Sequence, residues 1–353
     1  MKHHLLDHIV CPADKKPLRL QATNVNDQEI MTGALSCAAG HSYLITDGVP
    51  RFISSESFSN ASENAVRQTQ QSFSAKWKRI PNFGHEDASR QIYVDWYLDR
   101  YGFGTLDNLR DFLADKETIL DAGTGLGRDA ILYGENSRAQ VIALDISQSI
   151  DFAYQHAGHL PNVHLVQADL TMLPCREASF DYLACDQVMH HTPDTKTSFD
   201  HLVQHLAPSG QIAFYVYKKK GPIREFCDDF LREHFTQASE EECYAFSRAM
   251  TSLGKALFDL KVEVEVPEDI PMLDIKAGKH DIQRFIYWHV FKCYWNDNLD
   301  FETNVMTNFD WYHPQNAHRH TPKEVQGWCA EAGLEIVHFN VIESGISVRA
   351  KKP

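Results

Sequence analysis

The residues best placed to do chemistry stand in the stretch ILDAGTGLGRD at 119–129, where Gly123, Gly125 and Gly127 take alternate positions directly after an apolar run. Glycine tolerates left-handed backbone and admits a ligand close to the chain, and a helix that follows aims its first N–H groups at that ligand. The spacing is G-x-G-x-G, whereas dinucleotide sites use G-x-G-x-x-G, and Asp121 stands two residues before the first glycine. Asp145 ends the next apolar run, VIALD, about 20 residues after the loop, where a carboxylate takes both hydroxyls of a ribose. Asp169, closing LVQAD, is placed to meet the edge of an adenine.

A second group is Cys11 and Asp14 with Cys37 and His41, a C-x2-D pair and a C-x3-H pair separated by 22 residues. Zinc takes four ligands near tetrahedral geometry, and paired knuckles of this kind supply them, Asp being the less usual donor. Either the four hold a structural zinc ion, or residues 1–55 are a degenerate version of such a unit, held by a small core. The other six cysteines read as reduced thiols in packed elements, so a disulfide framework is not expected.

His190 and His191 follow the apolar run FDYLAC, at the sheet edge where open α/β folds bind ligands. One of them is a candidate general base; alternatively His190 packs and His191 caps a turn, or both join a histidine of 313–320 on a metal. The segment NFDWYHPQNAHRHT reads as a loop dense in aromatic and charged residues, which makes Trp311, Tyr312 and Arg319 candidate substrate contacts. Trp288, Phe291 and Trp295 recur at helical spacing and read as a stripe buried in a core or subunit interface, which leaves a homodimer open, with a substrate cage as the alternative. Lys218, Lys219 and Lys220 read as a solvated turn, with docking of an anion as the alternative.

These residues need elements to position them. Between 118 and 217 five strand-length apolar runs alternate with helical stretches, the signature of βαβ units and a parallel sheet. Residues 1–55 carry five Lys/Arg and five Asp/Glu, so the net negative charge lies downstream, and a Ser/Asn/Gln-rich stretch marks a boundary near 56. Residues 56–117 read as a linker and helices, 218–316 as a helical lid inserted after the fifth strand, and 317–353 as a last helix and a strand hairpin. The helix starts at a capping box, Thr321 with Glu324, with Pro322 at its first position.

The ordered series from ILDAGTGLG through FDYLACDQVMHHTPD to LAPSGQ resembles the class I S-adenosylmethionine-dependent methyltransferases over about 118–217 and 317–353. The resemblance implies a Rossmann-like, seven-stranded sheet. It also implies that Gly123, Gly125 and Gly127 surround the methionine part of the cofactor, Asp145 the ribose, Asp169 and Leu170 the adenine, and Asp186 and Gln187 the sulfonium. LLDHIVCP and DGVPRF make residues 1–55 similar to the zinc-ribbon domain of the tRNA-methyltransferase activator family.

Composition bounds the rest. With 353 residues, 43% apolar and 23% charged, the chain is globular, and a net charge of −14 disfavours a broad nucleic-acid surface. No signal-peptide core or membrane span is expected, which places the chain in the cytoplasm. The expectation is therefore a methyltransferase with a small or medium-sized metabolite as acceptor; an RNA methyltransferase and a non-catalytic cofactor-binding scaffold are the rivals.

Overall fold

The computed structural model describes residues 1–27, 29–53 and 61–353. The N-terminal part is a meander of β1 (Arg19–Asn26), β2 (Glu29–Ser36), β3 (Ser42–Thr46) and β4 (Val49–Arg51). Three helices follow, α1 (Ala61–Arg79), α2 (Asp87–Arg100) and α3 (Leu106–Leu113). Then strands and helices alternate: β5 (Thr118–Ala122), α4 (Arg128–Asn136), β6 (Gln140–Asp145), α5 (Ser149–Ala157), β7 (Val163–Gln167), β8 (Phe180–Cys185), α6 (Thr195–Gln204) and β9 (Leu206–Tyr217). The inserted part holds α7 (Pro222–Phe235), α8 (Glu240–Asp259), β10 (Glu263–Val266), β11 (Gly278–Asp281), α9 (Ile282–His289) and α10 (Phe301–Tyr312). The chain closes with α11 (Pro322–Glu331), β12 (Glu335–Val341) and β13 (Gly345–Lys351).

All five strand-length runs between 118 and 217 are strands, and β7, β6, β5, β8 and β9 lie side by side in parallel. β13 runs antiparallel beside β9 and pairs in turn with β12. These seven strands do not make the whole sheet. It has eleven, because β4 joins β7 through Arg51 and Gln167 and carries β3, β2 and β1 with it. The N-terminal unit is therefore part of the main sheet, and Leu5, Ile9, Ile30 and Leu35 share one core with Leu120, Ile142 and Val166. Lys2 donates to the carbonyls of Gly158 and Val163, both at 2.8 Å, which ties that unit to the α5–β7 side. The boundary expected near 56 lies outside the described residues.

The capping box forms as its spacing requires: Glu324 N–H donates to Thr321 Oγ1, and the Glu324 carboxylate accepts from Thr321 N–H. Two other expectations fail. The NFDWYHPQNAHRHT segment, 308–321, is not all loop, since α10 runs to Tyr312 from an Asp300 cap that accepts from Thr303 N–H at 2.8 Å. Thr303, Val305, Met306, Asn308, Phe309 and Trp311 are all buried, so this helix has no wet face to print a helical period on the sequence. Nor do Trp288, Phe291 and Trp295 share a helix, because α9 stops at His289. The chain beyond it is held by side chains: Asn308 accepts from Tyr294 N–H at 2.8 Å, and Asn304 accepts from Asn296 N–H at 2.7 Å. Among the described residues no helix is long and apolar enough to cross a membrane.

Candidate functional site

A cavity of about 480 Å³ opens at the C-terminal edge of the parallel strands, a volume within the range of small-molecule sites. Its floor is the turn after β5. Gly123 and Gly125 hold φ of +91° and +55°, a region that favours glycine, and a Cβ at 123 would come within 2.3 Å of Val188. Gly127, with φ of +86°, caps α4 and does not line the cavity; it lets α4 pack closely on Ala153 of α5. Asp121 sits behind the turn, also outside the lining, where burial and the neighbouring Asp129 push its carboxyl well above the usual range.

Asp145, at the end of β6, accepts from Gly125 N–H at 2.9 Å and from Ser147 N–H at 2.8 Å, so it fixes the glycine turn while lining the cavity. Asp169 spends one oxygen on Thr171, accepting from its N–H and its hydroxyl at 2.8 Å each, which leaves the other for a ligand. Leu170 and Gln187 also line the wall. Asp186 lies on that wall already engaged: Arg100 reaches both of its oxygens at 2.6 Å and Tyr101 donates at 2.7 Å. Burial alone would raise its carboxyl, but Arg100 holds it below the ordinary carboxylate value.

The two histidines part company. The 3-10 turn Met189–His191 sends His190 inward, fully buried and packed against Tyr217 with ring centroids 3.7 Å apart and the rings tilted by 33°, so it is not among the lining residues. His191 faces the cavity. Its Nδ1–H donates to the Asn316 carbonyl at 2.7 Å, the tautomer that leaves Nε2 as an acceptor, and burial brings its pKa down to about 4. The reading of both histidines as metal ligands gains nothing, because among the described residues one group alone has metal-site geometry, and it is elsewhere.

Trp311, Tyr312 and Arg319 do not line the cavity. Trp311 packs behind Tyr217 with centroids 4.9 Å apart, Tyr312 donates to the Lys292 carbonyl at 2.7 Å, and Arg319 pairs with Glu225 at 3.1 Å and with Asp229. They are framework for the lid. The side chains that do line that side are Asp310, one residue before Trp311, with Lys76, Trp288 and Lys292. Lys76 Nζ lies 2.5 Å and Lys292 Nζ 3.6 Å from the Asp310 carboxylate. Burial lowers the Lys292 ammonium to about 8, despite Asp310. The sequence signal for the α1 contribution is Phe73, Lys76 and Trp77, an aromatic and basic i, i+3, i+4 set in an otherwise polar helix. Lys220 is likewise no solvated turn residue: its Nζ donates to the carbonyls of Lys218, Glu343 and Ser344 at 2.7–3.0 Å.

Outside the lining of this cavity, Cys11, Asp14, Cys37 and His41 converge, with all four donor atoms within 4.8 Å of one another. His41 Nδ1 lies 3.4 Å from Cys11 Sγ and 3.3 Å from Cys37 Sγ, and Cys37 Sγ lies 3.3 Å from Asp14 Oδ2. A tetrahedron with bonds of about 2.0–2.3 Å has edges of roughly 3.3–3.8 Å, so the spacing suits one zinc-sized ion.

Residues 120–214 match the family described as the methyltransferase domain. Demethylmenaquinone methyltransferase of Staphylococcus haemolyticus is 24% identical over 158 residues, 43% of this chain and 61% of that protein. Trans-aconitate 2-methyltransferase of Azoarcus sp. is 34% identical over 110 residues, 30% of this chain and 42% of that protein. The chain thus spans less than two thirds of these relatives' length. Magnesium protoporphyrin IX methyltransferase from Synechocystis aligns with 84% of this chain and 100% of its own, at 12% identity and a TM-score of 0.44. The glycine turn and the parallel strands β5 to β9 fall almost wholly within residues 120–214, the stretch that matches the methyltransferase-domain family.

Proposed function

We propose that the chain is an S-adenosylmethionine-dependent methyltransferase acting on a small or medium-sized metabolite, by in-line transfer beneath a lid. The observation that carries this reading is the single cavity that joins the glycine turn, Asp145 and Asp169 to His191 and an aromatic lid. The residues present suit the cofactor. The positive φ of Gly123 lets the turn run along the cavity, where a Cβ would collide with Val188, and Arg128 Nη1 is buried on the cavity wall with no hydrogen-bond partner among the described residues, a donor suited to an α-carboxylate. Asp145 would hold the ribose hydroxyls and Asp169 the adenine edge. When bound, S-adenosylmethionine supplies an electrophilic methyl group on a sulfonium.

The chain's own work is then positioning. Phe73, Trp77, Tyr217 and Trp288 wall the cavity and exclude water, so an acceptor is aligned before it reacts. His191, neutral at physiological pH and fixed by Asn316, offers Nε2 to a proton that leaves the acceptor. The net charge of −14 favours a metabolite over RNA. We further propose that Cys11, Asp14, Cys37 and His41 hold a structural zinc that ties the β2–β3 turn to the N-terminal segment, in the manner of the ribbon that residues 1–55 resemble.

Calorimetry with S-adenosylmethionine and S-adenosylhomocysteine tests the cofactor site. Both should bind, and Asp145→Ala should weaken both by about ten- to hundredfold, the worth of about 1.5–3 kcal/mol of charged hydrogen bonds. Unchanged affinity in the variant would refute the assigned site. Methyl transfer from labelled cofactor to any acceptor then separates an enzyme from a binding scaffold.

A further inference from the structure

We propose that the acceptor is an organic anion, and that its carboxylate or phosphate sits between Lys76 and Lys292 on the lid side of the cavity. The inference rests on the methyltransferase reading for the word acceptor alone; the binding site follows from the charges.

Lys76 and Lys292 are both buried, and they share a single carboxylate, Asp310. Two cations against one anion leave this wall with one positive charge in excess. The layer behind does not cancel it. Arg224 and Asp228 form a closed pair at 2.7 Å, both fully buried, and so contribute no net charge. Arg232 donates to the carbonyls of Trp311, Pro314 and Gln315 and makes no ion pair among the described residues; its charge is offset by Glu225 and Asp229, which share the one cation Arg319, so this layer leaves the excess on the wall in place. A buried charge without a counterion is costly, and a ligand that brings the missing anion recovers that cost.

The opposite end of the cavity has the reverse sign. Asp145, Asp169 and Asp129 line it against one cation, Arg128, which the cofactor's carboxylate would occupy, while Arg100 is already consumed by Asp186. With the cofactor in place, an anionic acceptor is therefore disfavoured at the acidic end and drawn to the lysine end. That end is also near the group assigned to proton transfer: Lys76 lies one turn after Phe73, whose ring meets His191 edge-on with centroids 4.7 Å apart. Beneath Lys76 the Trp77 ring lies 4.3 Å from its Nζ, and Trp288 lines the same side, so the body of the anion meets flat aromatic walls.

The test uses the full chain saturated with S-adenosylhomocysteine, at pH 6, where burial still leaves Lys292 protonated. Calorimetry compares charged probes with neutral twins of the same shape: benzoate with benzamide, indole-3-carboxylate with its carboxamide, and phenyl phosphate with phenol. At least one anion should bind tenfold or more above its twin, and the class that does so tells carboxylate from phosphate. Lys292→Met should cost that anion at least tenfold while leaving the twin and S-adenosylhomocysteine within twofold. Asp310→Asn should tighten the anion at least threefold, since it removes the internal competitor; should Lys292→Met fail to fold, Lys76→Met and Asp310→Asn carry the test. An absent preference, failure of every probe to bind, or Asp310→Asn weakening the anion would each overturn the proposal. If S-adenosylhomocysteine itself does not bind, the methyltransferase reading falls, and the same probes on the unliganded chain still decide whether the lysine wall takes anions.

Discussion

Gly123→Ala is the sharpest perturbation of the cofactor end, because its cost has two separable parts. The residue holds φ of +91°, and a left-handed backbone costs an alanine about 1–2 kcal/mol. The new Cβ would also meet Val188 Cγ2 at 2.3 Å, Cγ1 at 2.6 Å and Cβ at 2.9 Å, where carbon atoms prefer about 3.5–4.0 Å. Overlap of this kind costs about 1–3 kcal/mol once neighbours shift. Val188 stands directly after Asp186 and Gln187, so either the glycine turn or the loop after β8 must move, and both line the cavity. The sum, roughly 2–5 kcal/mol, predicts at least about thirtyfold weaker binding of S-adenosylhomocysteine if as little as the lower figure reaches the site. Calorimetry reads the affinity and a melting curve reads the stability. Val188→Ala removes the two closest atoms but not the φ strain, so the double variant should recover part of the loss and not all of it. Wild-type affinity in Gly123→Ala, or no recovery in the double variant, would refute the reasoning.

Further outcomes are expected elsewhere in the molecule. Elemental analysis should find about one zinc per chain, and Cys37→Ser should release it while S-adenosylhomocysteine affinity stays within twofold; metal-free protein with an ordered N-terminal unit would refute the zinc assignment. Stability should fall as pH drops from 7.5 to 5.5. Burial lowers His164 to about 3 and His191 to about 4, so below the unfolded value near 6.5 the unfolded chain binds more protons. Each of these two histidines then costs about 1.4 kcal/mol at pH 5.5, and His85, His201 and His320, each lowered to about 4 by burial, act in the same direction, while Asp129, raised to about 6 by burial, returns about 0.8 kcal/mol. Urea midpoints measure the net loss, and a midpoint that does not fall on acidification would refute these environments.

The end of the cavity proposed for the cofactor has a lining that is legible in the sequence, because its geometry is local. A strand that ends in a carboxylate, or that enters a glycine turn, places the chemistry within one or two residues of a strong period signal, so Gly123, Gly125, Asp145 and Asp169 were all read from neighbours in sequence. Asp121 and Gly127 have the right types but serve the turn from behind, a distinction that depends on which side of β5 and α4 faces the ligand. His190 and His191 illustrate the same limit: adjacent, identical residues are divided by a 3-10 turn, and nothing in the pair says which one faces inward.

The acceptor end was illegible for a physical reason. Its wall is built from Lys76 on α1, Lys292 beyond α9 and Asp310 on α10, so no window of sequence contains it. The run at 309–313 is dense in aromatic residues because Trp311 and Tyr312 are packing residues on a mostly buried helix, and it is the polar neighbour Asp310 that reaches the cavity. The two ends are also built from separate residues. Binding losses from Gly123→Ala and Lys292→Met should therefore add, since the altered groups share no partner. A coupling beyond about 0.5 kcal/mol would mean that the lid lysines and the glycine turn move as one unit, and the separation of cofactor and acceptor sites would have to be abandoned.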